Sequence, residues 1–102
     1  MRNIPIILKG RTDALRPICE RYQVRELALF GSALGHDFGP QSDLDFLVEF
    51  QPDAQIGFLA LASLQRELSG LLGRPVDLVP KGGLKPVIRD EVLSEAEVLY
   101  AA

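Results

Sequence analysis

The chain has 102 residues and a formal net charge of −3, with 47% hydrophobic and 25% charged residues, the balance of an ordinary globular protein in one small domain, residues 1–102. That charge sets aside a general nucleic-acid binder, which carries a basic face. One cysteine, Cys19, excludes a disulfide framework, and no apolar run approaches the roughly 20 residues of a membrane span.

The first nine residues offer Ile4, Ile6 and Ile7 as a short strand or as core packing, with Pro5 against a central strand. Their apolar patch is too short for a signal peptide, so a cytoplasmic chain is expected. Thr12 or Asp13 can cap a helix reaching about Tyr22. Leu15, Ile18, Cys19 and Tyr22 form its apolar stripe, and Pro17 predicts a late start or a kink. On that stripe Cys19 reads as a small buried hydrophobe.

Val24 to Phe30 is a strand that ends at Gly31-Ser32. Gly31 permits a backbone conformation or a close approach denied to other residues. Ser32 and the amides near it can form a phosphate cradle, although a Gly-Ser pair after a strand is also simply a tight turn. Residues 33–42 form a polar loop containing Gly35, His36 and Gly39, where the histidine is solvated, a phosphate contact or a catalytic acid-base group. Asp43 to Phe50 is a strand. Leu44, Phe46, Val48 and Phe50 share one face; Asp43, Asp45, Leu47 and Glu49 share the other.

A helix follows from about Ile56 to Leu72, with Phe58, Leu61, Leu64, Leu68, Leu71 and Leu72 as its core stripe and Gly73 as its stop. Pro75 to Val79 is a third strand. A strand, a helix and a strand in this order form a crossover, so the second and third strands run parallel. Pro86 opens a last helix to about Ala96, burying Val87, Ile88, Val92 and Leu93. Val98 to Tyr100 adds an edge strand. Lys81, Lys85 and Arg89 either approach a phosphate or form a solvated face.

The chemistry concentrates in Asp43-Leu44-Asp45. Carboxylates at i and i+2 of a strand point the same way with Cα atoms about 6–7 Å apart, which suits a hard cation. Parallel pairing brings Asp77, near the start of the third strand, to the same end of the sheet. An unpaired Asp buried among Val and Leu is costly, and a shared cation removes that cost.

Gly31-Ser32, ten residues, then Asp43-Leu44-Asp45 resembles the signature of the DNA polymerase beta-like nucleotidyltransferases. With Asp77 in PVDLV and the tail LKPVIRDEVLSEAEVLY, the chain looks like the minimal, antitoxin-type branch. The resemblance implies an α/β (α+β) fold: a small mixed sheet, palm-like, with helices packed on one face. It implies that Asp43, Asp45 and Asp77 are catalytic and hold Mg²⁺, that Asp77 takes the proton of the attacking hydroxyl, and that Gly31 and Ser32 hold the nucleotide phosphates. Relatives commonly carry basic residues where this chain has Gly35 and Gly39. His36 and the loop with Lys81 and Lys85 are the candidates to replace that charge.

The function implied is transfer of AMP from ATP to a hydroxyl, a tyrosine of a partner HEPN-domain toxin, by an antitoxin that works in a homo- or hetero-oligomer. The alternative is an antitoxin that neutralises its toxin by binding alone. A small-molecule transferase ordinarily has a further substrate domain, and a polymerase is disfavoured by size and acidity. Neither direct nucleic-acid contact nor a membrane is expected.

Overall fold

A computed structural model describes residues 12–31 and 43–102. The elements follow in the order α1 (Thr12–Arg21), β1 (Val24–Phe30), β2 (Leu44–Phe50), α2 (Phe58–Leu72), β3 (Val76–Pro80), a 3₁₀ turn at Lys81–Gly83, α3 (Pro86–Glu95) and β4 (Glu97–Ala101). The readings placed on Ile4, Ile6, Ile7, Ser32, Gly35, His36 and Gly39 lie outside the described residues.

The four strands form one mixed sheet in the order β3-β2-β1-β4. Strand β2 runs parallel to β3, as the crossover predicts, while β1 is antiparallel to β2 and β4. Because side chains alternate, each strand splits its residues between the two faces. Leu27, Leu29, Leu44, Phe46, Val48, Val76 and Leu78 point to the main core, where they meet Leu15 and Cys19 of α1 and Leu64, Leu68 and Leu72 of α2. Full burial of such a side chain contributes roughly 1.5–3 kcal/mol, so this layer supplies most of the driving force. The second face is thinner: Ala28, Leu47 and Leu84 form a small cluster, flanked by Phe30, Val79, Val92 and Leu93. The mixed sheet with helices on one face is therefore present, with α3 added against part of the other face.

Helix α1 runs through Pro17 from Thr12, so the proline costs one backbone hydrogen bond without delaying the start. Gln23 closes the turn into β1 at φ 59°, and its carbonyl accepts the amide of Gln51 at 2.9 Å. Arg21 donates to Glu67 Oε1 at 2.6 Å, and the Tyr22 hydroxyl donates to Glu67 Oε2, which clasps α1 to α2.

Helix α2 starts at Phe58 rather than Ile56, behind Gly57 with no side-chain cap, and ends at Gly73 in the left-handed region, φ 68°. Phe58 is 82% exposed and does not join the stripe as expected. It lies six residues before Leu64, which at 100° per residue rotates it about 120° away. Helix α2 also closes the sheet edge: Ser69 Oγ and Gln65 Oε1 accept the amides of Val76 at 3.0 Å and Leu78 at 3.1 Å. An edge strand's outward amides are thereby occupied rather than offered to another chain.

Helix α3 buries less than its sequence suggests. Val87 is 87% and Ile88 42% exposed, and only Val92 and Leu93 of the expected four reach the small cluster. That cluster is too narrow to cover the start of the helix.

Candidate active site

The site forms where β1 ends and β2 and β3 begin. Phe30 of β1 is the register partner of Asp45, which places Gly31 beside the Asp45 carboxylate. Gly31 has φ +78°, and a Cβ built on it would lie 2.5 Å from Asp45 Oδ2. Space and backbone both demand glycine here. On its other side Asp45 is the direct partner of Asp77 in the parallel ladder, a strand spacing of about 4.8 Å. Asp43 stands immediately before β2, exposed to solvent.

Asp45 is half-buried, and its carboxyl is held above the usual carboxylate range. Burial is the main cause, followed by the charges of Asp77 and Asp43. Asp77 is exposed, contrary to the expectation that it is buried among Val and Leu. Its neighbours Val76 and Leu78 turn to the core and Asp77 turns away from it, so the burial cost falls on Asp45 instead. No Lys or Arg among the described residues forms a salt bridge with any of the three acids.

The donor set is all carboxylate oxygen, the ligand type of hard cations. Among the described residues no group of three or more His, Cys, Asp or Glu side chains is arranged to hold a metal ion. The three-carboxylate metal set expected from the sequence is therefore not assembled among the described residues. Mg²⁺ is usually bound through one or two carboxylates with substrate phosphates and water completing the shell, a smaller set that the Asp45–Asp77 register pair can supply.

Lys81 does not serve this site. Lys81 lies four residues beyond Asp77 along the chain, about 13 Å away at strand rise. Its Nζ is 3.3 Å from Glu26 Oε1 and 3.7 Å from Glu49 Oε1. Arg89 lines a hollow at that same end with Glu49, Pro80 and Lys81. The phosphate-binding reading of Lys81 is thus corrected: it neutralises two glutamates of the sheet. Cys19 is fully buried, and burial pushes its thiol up to about 11, so it is a hydrophobe and not a nucleophile.

The sequence reading missed a hollow of about 270 Å³ beside Gly31, lined by Phe30, Gly31, Ile88, Glu91, Val92 and Glu95. The signal was present as two pairs at i and i+4 on one short helix, Ile88 with Val92 and Glu91 with Glu95. The apolar pair reads as core until the narrowness of the second face is known.

A family model described as a nucleotidyltransferase domain matches residues 13–99. The chain belongs to this family and is a nucleotidyltransferase. It is similar to a protein adenylyltransferase, MntA of Thermococcus cleftensis, with 38% identity over 95 residues, 93% of this chain and 91% of that one. A minimal nucleotidyltransferase of known structure superposes with a TM-score of 0.72 at 38% identity, over 87% of this chain and 89% of the other. The fold also matches a chain from the Shewanella oneidensis complex of a tri-AMPylated HEPN toxin with an MNT antitoxin. There the TM-score is 0.66 at 20% identity, over 92% of this chain and 72% of that one. Among the described residues no helix is long and apolar enough to cross a membrane.

Proposed function

We propose that this nucleotidyltransferase is an antitoxin that moves AMP from ATP to a tyrosine hydroxyl of a partner HEPN-domain toxin. The observation that carries the reading is the half-buried Asp45, flanked by Gly31 and Asp77 and left without a basic partner among the described residues. A carboxylate kept above its ordinary range by burial first, and then by two like charges, is an expensive arrangement for structure alone, and such perturbed groups concentrate at functional sites. The likeness to a protein adenylyltransferase favours a protein acceptor.

Asp43, Asp45 and Asp77 would hold Mg²⁺, which when bound neutralises the triphosphate oxygens and the departing pyrophosphate. The backbone at Gly31, with Ser32 following, would receive the β- and γ-phosphates. Exposed Asp77 takes the proton of the acceptor hydroxyl. The hydroxyl oxygen then forms its bond to the α-phosphorus while the α-phosphorus bond to the β-bridging oxygen breaks, and pyrophosphate leaves.

The test incubates the chain with ATP, Mg²⁺ and the toxin, and weighs the toxin by mass spectrometry. A gain of one or more AMP units that vanishes with Asp43→Asn is expected. Neutralisation of the toxin that survives Asp43→Asn without any gain in mass would identify the binding-only antitoxin instead.

A further inference from the structure

Asp77 is carried by an edge strand. Among the described strands β3 has β2 as its one neighbour, and in that ladder Asp77 stands opposite Asp45. Like charges directly opposite in a sheet are destabilising, so the two strands are pushed apart where the site needs them together. The outer side of β3 is held by helix α2. Alternation turns the amides of Val76 and Leu78 away from β2. Ser69 Oγ accepts the first at 3.0 Å and Gln65 Oε1 accepts the second at 3.1 Å. These amides stand immediately before and after Asp77.

The spacings of helix and strand agree. Gln65 and Ser69 are about 6 Å apart along the helix axis, and Val76 and Leu78 are about 6–7 Å apart along the strand. The earlier helix residue takes the later strand residue, as an antiparallel helix and strand require. The link between them is short: α2 ends at Leu72, Gly73 turns the chain at φ 68°, and β3 begins at Val76. A slip of β3 by one residue breaks both bonds and turns Asp77 to the core face.

From this geometry we infer that Gln65 and Ser69 are positioning residues, which clamp β3 so that Asp77 stays in register beside Asp45 against the repulsion between the two carboxylates. The inference rests on the role given to Asp77 in the function proposed above. Both side chains act on the backbone that carries Asp77, and its exposed carboxylate stays open to a cation or to the acceptor's proton. The two meetings of acids are thus held by different means. Lys81 bridges Glu26 and Glu49 with a charge, whereas Asp45 and Asp77 keep their charge and are held by neutral hydrogen bonds from the far side of the strand.

The test compares two ways of loosening α2, at a temperature where every variant is folded. The Gln65→Met, Ser69→Ala double variant removes both acceptors and keeps good helix formers. Glu67→Ala releases α2 from α1, where Glu67 accepts from Arg21 and Tyr22, and leaves β3 alone. In the metal-free chain, amide hydrogen exchange at Val76, Asp77 and Leu78 should quicken at least about tenfold relative to the β1–β2 ladder in the double variant, and not in Glu67→Ala. With toxin as acceptor, the double variant should have a kcat at least about tenfold below that of Glu67→Ala and an unchanged ATP KM. Ser69→Thr keeps the accepting oxygen and should keep the wild-type rate that Ser69→Ala lowers, a comparison that also serves if the double variant does not fold. Exchange at Asp77 that ignores the double variant overturns the clamp. So do equal kcat values for the double variant and Glu67→Ala, or a Ser69→Thr as slow as Ser69→Ala, and these leave the function standing. A wild type that adds no AMP to the toxin removes the function, and the exchange rates alone then decide whether the pair holds Asp77 in register.

Discussion

One face of the sheet carries two groups of acids that share β2, and the chain treats them in opposite ways. At the far end Glu26 and Glu49 are register partners, and Lys81 bridges both at 3.3 and 3.7 Å. At the near end, about 13 Å along β2, Asp45 and Asp77 are register partners as well, with Asp43 adjoining. Here no basic residue among the described ones pairs with them. The chain supplies its own cation where like charges meet for structural reasons. It leaves the second meeting uncompensated and presses a glycine backbone against it. Charge that the fold could have neutralised and did not is the mark of a site that waits for a ligand.

The sharpest way to break the contrast is Asp45→Asn. Transfer should fall by about 100-fold or more, as loss of one member of a charge-stabilising site does. Stability of the metal-free chain should rise by about 0.5–2 kcal/mol, the trade-off expected when a functional strain is relieved. The pH dependence carries a definite sign. A carboxyl whose folded pKa is raised above its unfolded value of 3.8 contributes stability below that value and loses it as pH rises through the folded pKa. Metal-free wild type should therefore approach the Asn variant in melting temperature as pH falls from 7, and lag behind it at neutral pH. Adding Mg²⁺ with ATP at neutral pH should close the gap from the other side, because a ligand that binds only the folded state stabilises it. Equal melting temperatures at every pH would contradict the burial and repulsion assigned to Asp45.

A smaller change tests the glycine. Gly31→Ala meets Asp45 Oδ2 at 2.5 Å and must hold φ +78°, whereas Gly73→Ala, at φ +68°, meets nothing within 4 Å. Both should lose about 1–2 kcal/mol to the left-handed backbone. Gly31→Ala alone should also lose transfer, by at least about tenfold, because Asp45 must move. Thermal melts and initial rates on the two variants separate the costs, and equal rates would show that Gly31 is merely a turn.

Much of this was readable from period and punctuation. Val24–Phe30 is a strand of mixed pattern that stops at a glycine, and the crossover length makes β3 parallel to β2. Those two facts alone carry Asp77 to Asp45. Burial was harder to read. Phe58, Val87 and Ile88 were assigned inward and are exposed, and Asp77, on the face of Asp43 and Asp45 as its phase requires, is exposed rather than buried, because periodicity tells which residues share a face and not how far a neighbouring element reaches over it. Lys81, which the sequence leaves open between a phosphate contact and a solvated face, is decided by a related consideration. A lysine after β3 belongs, by strand direction, to the end of the sheet opposite the start of β3, and that geometry outranks the attraction of a cation to a phosphate site. The α3 hollow escaped because its two stripes, apolar and acidic, read as an ordinary amphipathic helix until the second face proves too narrow to use it.

The far end gives the smallest effect and the cleanest control. Lys81→Met removes the cation and keeps the aliphatic stem, so Glu26 and Glu49 are left facing each other across β1 and β2. Like charges directly opposite in a sheet are destabilising by a few tenths of a kcal/mol, and a partly exposed ion pair contributes about 0–1 kcal/mol. The loss should therefore stay below about 1 kcal/mol and shrink as salt is raised toward 1 M, where screening acts over about 3 Å. Transfer rates should not change, because the bridge sits at the wrong end of the strands to touch a phosphate. A rise in the ATP KM with Lys81→Met would place the lysine at the triphosphate after all and would erase the distinction between the two ends. A stability loss that salt reduces, with kinetics intact, fixes the far end as a structural charge pair and leaves the near end as the only one of the two built for a ligand.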